Sequence, residues 1–168
     1  ETVSLQPGAL TSDVTRFEAL IAAGSRAALN EAVGLYRDCL LADIAIPEEA
    51  WTEWLGVQRQ RLEGLALDAM VRLAEQQFQL GNVEPSLKAA GRAIVISSLR
   101  EDAHRLVIRA LAASGRRADA LKHYEHLVAL LQRELNVEPD AVTVSLAAEL
   151  RRPHGTTPAP DPSPPAVS

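Results

Sequence analysis

Two stretches of the chain superimpose on each other at an offset of 34 residues. Gly81 falls on Gly115, Leu73 on Val107, Ser86 on Ala120, Leu87 on Leu121, Lys88 on Lys122, Ala90 on Tyr124 and Ala93 on Leu127. That period suits a pair of antiparallel helices with a tight turn between them. One pair cannot bury its own apolar face, so successive pairs must stack. The turn needs a left-handed residue, which is where Gly81 and Gly115 stand. Small residues at Ala32, Ser86 and Ala120 let one helix lie close against its partner. Four residues later, Tyr36, Ala90 and Tyr124 lie on the same helix face and fill the gap between pairs.

The expected fold is therefore all-α. It is a tetratricopeptide-like right-handed superhelix of about three helical pairs with a C-terminal capping helix. Composition agrees, because hydrophobic residues make up 47% of the chain and aromatics only 4%. Alanine and leucine suit closely packed helices better than sheets. Asp13 is the expected N-cap of a first helix carrying Val14, Phe17, Leu20 and Ile21, which Gly24 ends. Ser25 caps a second helix with Leu29, Ala32, Val33, Tyr36 and Leu40 on one face, closing a first, irregular pair at Leu41. Pro47 suits the first turn of a long helix reaching about Leu80, with Trp51, Leu55, Leu62, Leu65, Ala69, Leu73 and Phe78 on its apolar stripe. Further helices are expected from Val83 to Ser97, from Glu101 to Ser114, from Arg117 to about Leu135 and from Val142 to about Arg151. The domain reading is a connector over 1–12, the repeat domain over 13–152 and a proline-rich, disordered tail over 153–168.

Function is bounded mainly by exclusions. The formal net charge is −5, where a domain that grips DNA by itself would ordinarily be basic. One cysteine, Cys39, rules out an internal disulfide and fits a reducing cytoplasm. The first residue is Glu1, so a fragment of a longer protein is expected. No apolar run reaches membrane-spanning length. Gly81 and Gly115 are isolated, with no phosphate loop around them. No catalytic constellation, cofactor site or metal site is expected. His123 and His126 are three apart and could share a metal, but no third ligand has suitable spacing, so both are read as surface residues flanking Tyr124. His104 is read as a packed or capping residue, and Cys39 as inert core. Trp51 is read as core, with Trp54 either under the first pair or in an interface.

The repeat register singles out a charged row. Glu75 lies on the first helix of one pair, and Asp102, Arg105 and Arg109 on the first helix of the next. Those helices line the concave side of such a stack, so these four residues are the candidate partner-binding set. The plain alternative is a solvated face with a Glu101–Arg105 ion pair.

Several runs together resemble a known family. They are Glu53-Trp54-Leu55 with Gln58-Arg59-Gln60-Arg61-Leu62, and the run from Arg100 to Leu106. The stretch from Ala110 to Leu121 with Tyr124, and the run from Glu134 to Pro139, complete the set. In order and spacing they resemble the bacterial transcriptional activator domain, the helical repeat module of regulators of the SARP type. Two positions depart from that pattern. Ser97-Ser98 stands where the family usually has Asp-Pro, and Asn136 where it usually has glycine; asparagine also tolerates the left-handed turn. The resemblance implies a non-catalytic interaction module beside a winged helix-turn-helix domain outside this chain. It implies protein partners, either a second copy or the transcription machinery, with DNA reached only through that other domain. A sensory or scaffolding module fused to a signalling enzyme, such as a nucleotide cyclase or ATPase, and a peptide-binding adaptor are the competing readings.

Overall fold

A computed structural model describes residues 12–42, 44 and 46–152. Among them, seven helices follow one another: α1 (Asp13–Ala23), α2 (Arg26–Leu35), α3 (Glu49–Gln79), α4 (Val83–Ile96), α5 (Glu101–Ala113), α6 (Arg117–Leu135) and α7 (Ala141–Arg151). Each helix packs on the next as far as α6, α3 also meets α5, and α7 rests on both α5 and α6. This is the expected all-α, tetratricopeptide-like stack of three pairs with a final single helix. The connector before residue 12 and the tail after residue 152 lie outside the described residues.

The two repeat turns are built alike. Gly81 and Gly115 hold φ of 75° and 78°. In each case the following amide reaches back five residues, Asn82 to the Gln77 carbonyl at 2.9 Å and Arg116 to the Leu111 carbonyl at 2.9 Å. That pattern satisfies carbonyls the helix leaves open. Asn136 takes the same left-handed turn at φ 54° after α6, as its side chain permits. The small repeat positions Ala32, Ser86 and Ala120 are all fully buried. Ser86 keeps its hydroxyl satisfied by donating to the Ala74 carbonyl across the α3–α4 contact, at 2.9 Å. Leu29, Met70, Ile108, Leu127 and Leu131 are the largest apolar side chains sealed completely inside.

The first pair departs from expectation in several places. Ser12, not Asp13, caps α1, accepting from the Thr15 amide. Asp13 is already helical and its carboxylate turns to the Val14 amide. Helix α2 stops at Leu35, so Tyr36 and Leu40 lie beyond it rather than on its face. The chain then bends through 37–42, and Cys39 there is exposed, not core. Leu41 adopts a left-handed φ of 51°, a conformation that costs a β-carbon residue about 1–2 kcal/mol. Arg59 donates to the Leu40 and Leu41 carbonyls at 2.7 and 2.8 Å, holding that bend on α3. Pro47 precedes α3 instead of entering its first turn, and Glu48 takes the N-cap position without a side-chain bond. Trp51 is only half-buried.

Candidate functional site

Helices α3 and α5 open the second and third pairs, and with the single helix α7 they wall a groove of about 720 Å³. Val71, Arg72, Glu75 and Gln76 come from α3, and Asp102, Arg105, Leu106 and Arg109 from α5. Val142, Ser145, Leu146 and Glu149 form the α7 wall. All four candidate residues, Glu75, Asp102, Arg105 and Arg109, therefore line one concave surface.

Their charges are largely committed inside the molecule. The Arg109 guanidinium donates to both Glu75 carboxylate oxygens, at 2.7 and 3.3 Å. Its carbon also stands 4.5 Å above the Phe78 ring, a favourable cation–π placement. Asp102 accepts from Arg100 at 3.0 Å, and Arg100 bridges onward to Asp68 on α3 at 2.6 Å. Arg105 does not pair with Glu101. It crosses to α7, donating to Asp140 and, at 3.0 Å, to the Thr143 hydroxyl.

A polar clamp results at the start of α7. Thr143 is fully buried there, and its hydroxyl donates to Glu101 at 2.9 Å. Glu101 also accepts the Asp140 backbone amide at 3.0 Å. The Asp140 carboxylate caps α7 by accepting the Thr143 amide at 2.9 Å. That amide first, then the Thr143 hydroxyl and Arg105, hold Asp140 below the usual carboxylate range. Four residues from two helices thus fix the angle of the third groove wall. Arg72 and Glu149 line the groove with no ion pair among the described residues, though Arg72 donates to the Ile21 carbonyl at 3.5 Å, beside a floor of Val71, Leu106 and Leu146.

The histidines are placed differently from expectation. His123 does not sit beside His126 on the surface. It is half-buried against His104, with His104 Nδ1 and His123 Nε2 2.9 Å apart. His104 Nε2 lies 2.9 Å from the Ser98 carbonyl, which can only accept, so Nε2 carries the proton. A neutral His104 then accepts from His123 through Nδ1. Burial, followed by His104 and His126, pushes His123 down to about 4. Burial also lowers His104, against the Ser98 bond and the carboxylates of Glu101 and Asp102, which act the other way. The pair is a packed, neutral link between α5, α6 and the α4–α5 turn. No group of three or more His, Cys, Asp or Glu among the described residues could hold a metal ion.

Sequence reasoning missed Arg72, Glu101, Asp140, Thr143 and the α7 wall as parts of this surface. The Glu75–Arg109 pair was within reach, because the two residues occupy the same position one 34-residue unit apart. Equivalent positions on stacked helices are neighbours by construction.

No helix among the described residues is long and apolar enough to cross a membrane. The family model of the bacterial transcriptional activator domain matches residues 12–151. No curated protein matches the chain.

Proposed function

The chain belongs to the bacterial transcriptional activator domain family, and we propose that it is the regulatory interaction module of a transcription regulator, receiving a segment of a protein partner in the α3–α5–α7 groove. On this reading residues 13–152 form the module, between a connector and a proline-rich tail. It acts beside a winged helix-turn-helix domain that contacts DNA. The supporting observation is the groove itself: an apolar floor bounded by side chains already locked by ion pairs. A surface held in place before binding loses little conformational entropy when a partner arrives. Its wall residues Glu75 and Arg109 shape the groove, while exposed Arg72 and Glu149 offer charges of opposite sign on either side of it. The acidic balance of the chain supports a protein partner over direct contact with nucleic acid.

The test is a reporter assay with the full-length regulator carrying Arg72→Glu together with Glu149→Arg. Arg72 also donates to the Ile21 carbonyl at 3.5 Å, so thermal unfolding of the variant is measured alongside to separate loss of activation from loss of fold. Promoter binding is expected to stay at the unmodified level while activation falls about tenfold or more. Full activation by the double variant would refute the groove as the partner site.

A further inference from the structure

The first pair encloses a pocket of its own. Helix α2 stops at Leu35, and the returning chain leaves a cavity of about 290 Å³ between it, the start of α1 and the middle of α3. Val14 and Phe17 of α1, Leu35 of α2, Leu40 of the bend and Leu62 of α3 give it an apolar interior. Tyr36 stands in its wall, with its ring centroid 6.1 Å from that of Phe17. Arg59 pins the bend through the Leu40 and Leu41 carbonyls, so the cavity is built before any ligand arrives. Its size stands at the lower end for small-molecule sites, about 300 Å³. It shares no lining residue with the α3–α5–α7 groove and stands independently of the partner reading.

Charges of both signs ring that apolar interior. Asp13 and Asp38 each turn Oδ1 to the next backbone amide, at 2.9 and 2.7 Å, and leave Oδ2 without a partner among the described residues. Arg37 is exposed and forms no ion pair or hydrogen bond among them. The Tyr36 hydroxyl has no hydrogen-bond partner among them either. Burial, then Glu63, Cys39 and Asp38, push its pKa up, so the phenol keeps its proton and can donate. Two carboxylates, a guanidinium and a phenol around an apolar cavity complement a small zwitterion with an apolar substituent. An alkyl ammonium alone leaves Arg37 unanswered, and an alkyl carboxylate alone meets two like charges. We propose that this pocket binds a free apolar amino acid of the size of leucine or phenylalanine. Its side chain fills the space between Phe17 and Leu62. Asp13 and Asp38 hold its ammonium group, and Arg37 with Tyr36 holds its carboxylate. A ligand seated there joins α1, the bend and α3, and so stabilises the first pair as its concentration rises.

Alkylation of Cys39 by iodoacetamide in the 168-residue chain tests it, because Cys39 lines the pocket, is exposed and is the sole cysteine. L-leucine or L-phenylalanine at about ten times its dissociation constant should slow labelling about tenfold. Phenethylamine lacks the carboxylate and phenylpropionate lacks the ammonium, so each should bind at least about tenfold more weakly than phenylalanine. Arg37→Gln should lower the affinity for phenylalanine about tenfold and leave that for phenethylamine unchanged. Asp38→Asn should weaken both. Both substituted side chains are exposed, and each variant is referred to its own labelling rate without ligand, which removes any change in Cys39 reactivity. Lack of protection by either amino acid at about 10 mM overturns the proposal. Phenethylamine binding as tightly as phenylalanine, or full affinity for phenylalanine in Arg37→Gln, overturns it as well.

Discussion

The first helical pair and the two pairs after it are held to the stack by different means. In α3 to α6 the helices touch through residues without bulk. Ala66, Ala69, Ala74, Ala90, Ala93 and Ala120 are all completely buried, and the turns close on their own left-handed glycines. In α1 and α2 much of the docking is done by long side chains reaching from α3 and α4 to backbone carbonyls. Arg92 donates to the Val33 and Tyr36 carbonyls at 3.0 and 2.9 Å. Gln76 donates to the Gly24 carbonyl at 3.2 Å, and Arg59 holds the bend after α2. The later pairs meet mainly through small buried residues, whereas the first adds to its buried Phe17, Leu29, Ala32 and Val33 a set of long-range hydrogen bonds that satisfy helix ends. The 34-residue period fails at the N-terminus for this reason. The first pair keeps a small buried residue at Ala32, but with arginines anchoring its ends it need not keep the 34-residue spacing.

This contrast can be strained from either side. Ala120→Leu forces a branched side chain into a contact with no exposed area and should cost about 3 kcal/mol. Chemical denaturation would show it as a lower midpoint of one cooperative transition. Arg92→Met keeps the aliphatic stem but leaves two carbonyls of the first pair without their donor, and should cost about 2 kcal/mol. Its damage should be local, with the α2 amides exchanging faster and those of α6 little changed.

A pH series probes the repeat side again. Folding holds His123 at about 4, against about 6.5 in the unfolded chain. The fold therefore favours the neutral ring. Its contribution is complete above about pH 6.5 and is lost as pH falls toward 4, on the order of 1–2 kcal/mol after solvent screening of the partly exposed ring. Thermal unfolding should show the decline, and His123→Gln should flatten it. The smallest effect belongs to the first turn. Gly24→Ala places a β-carbon at φ 64°, 2.5 Å from Arg72 Nη2. The guanidinium can swing aside, so about 1 kcal/mol is expected, again by denaturation.

The sequence was legible where local rules and the repeat agree. Gly24, Gly81 and Gly115 mark turns, Ser25 marks a cap, and helices α4 to α6 follow from apolar spacing alone. The candidate groove row was legible for the same reason, since a fixed register decides which residues share a face. Cys39 and Tyr36 were misplaced because α2 ends early, and its last carbonyls are taken by Arg92, 56 residues or more away along the chain. His123 was misread because its partner His104 is 19 residues distant and on another helix. The α7 clamp was invisible for a similar reason. Asp140 reads as a helix cap in any sequence, while its approach to Arg105 exists only once α7 has docked.

Native-state hydrogen exchange on the intact chain tests the contrast most directly. Helices α5 and α6 should exchange only through global unfolding, and α7 should stay with them through its clamp. Helices α1 and α2 should open at lower free energy, and Arg92→Met should lower that free energy without changing α5 or α6. Uniform protection from α1 to α6, or equal acceleration of all helices by Arg92→Met, would contradict it.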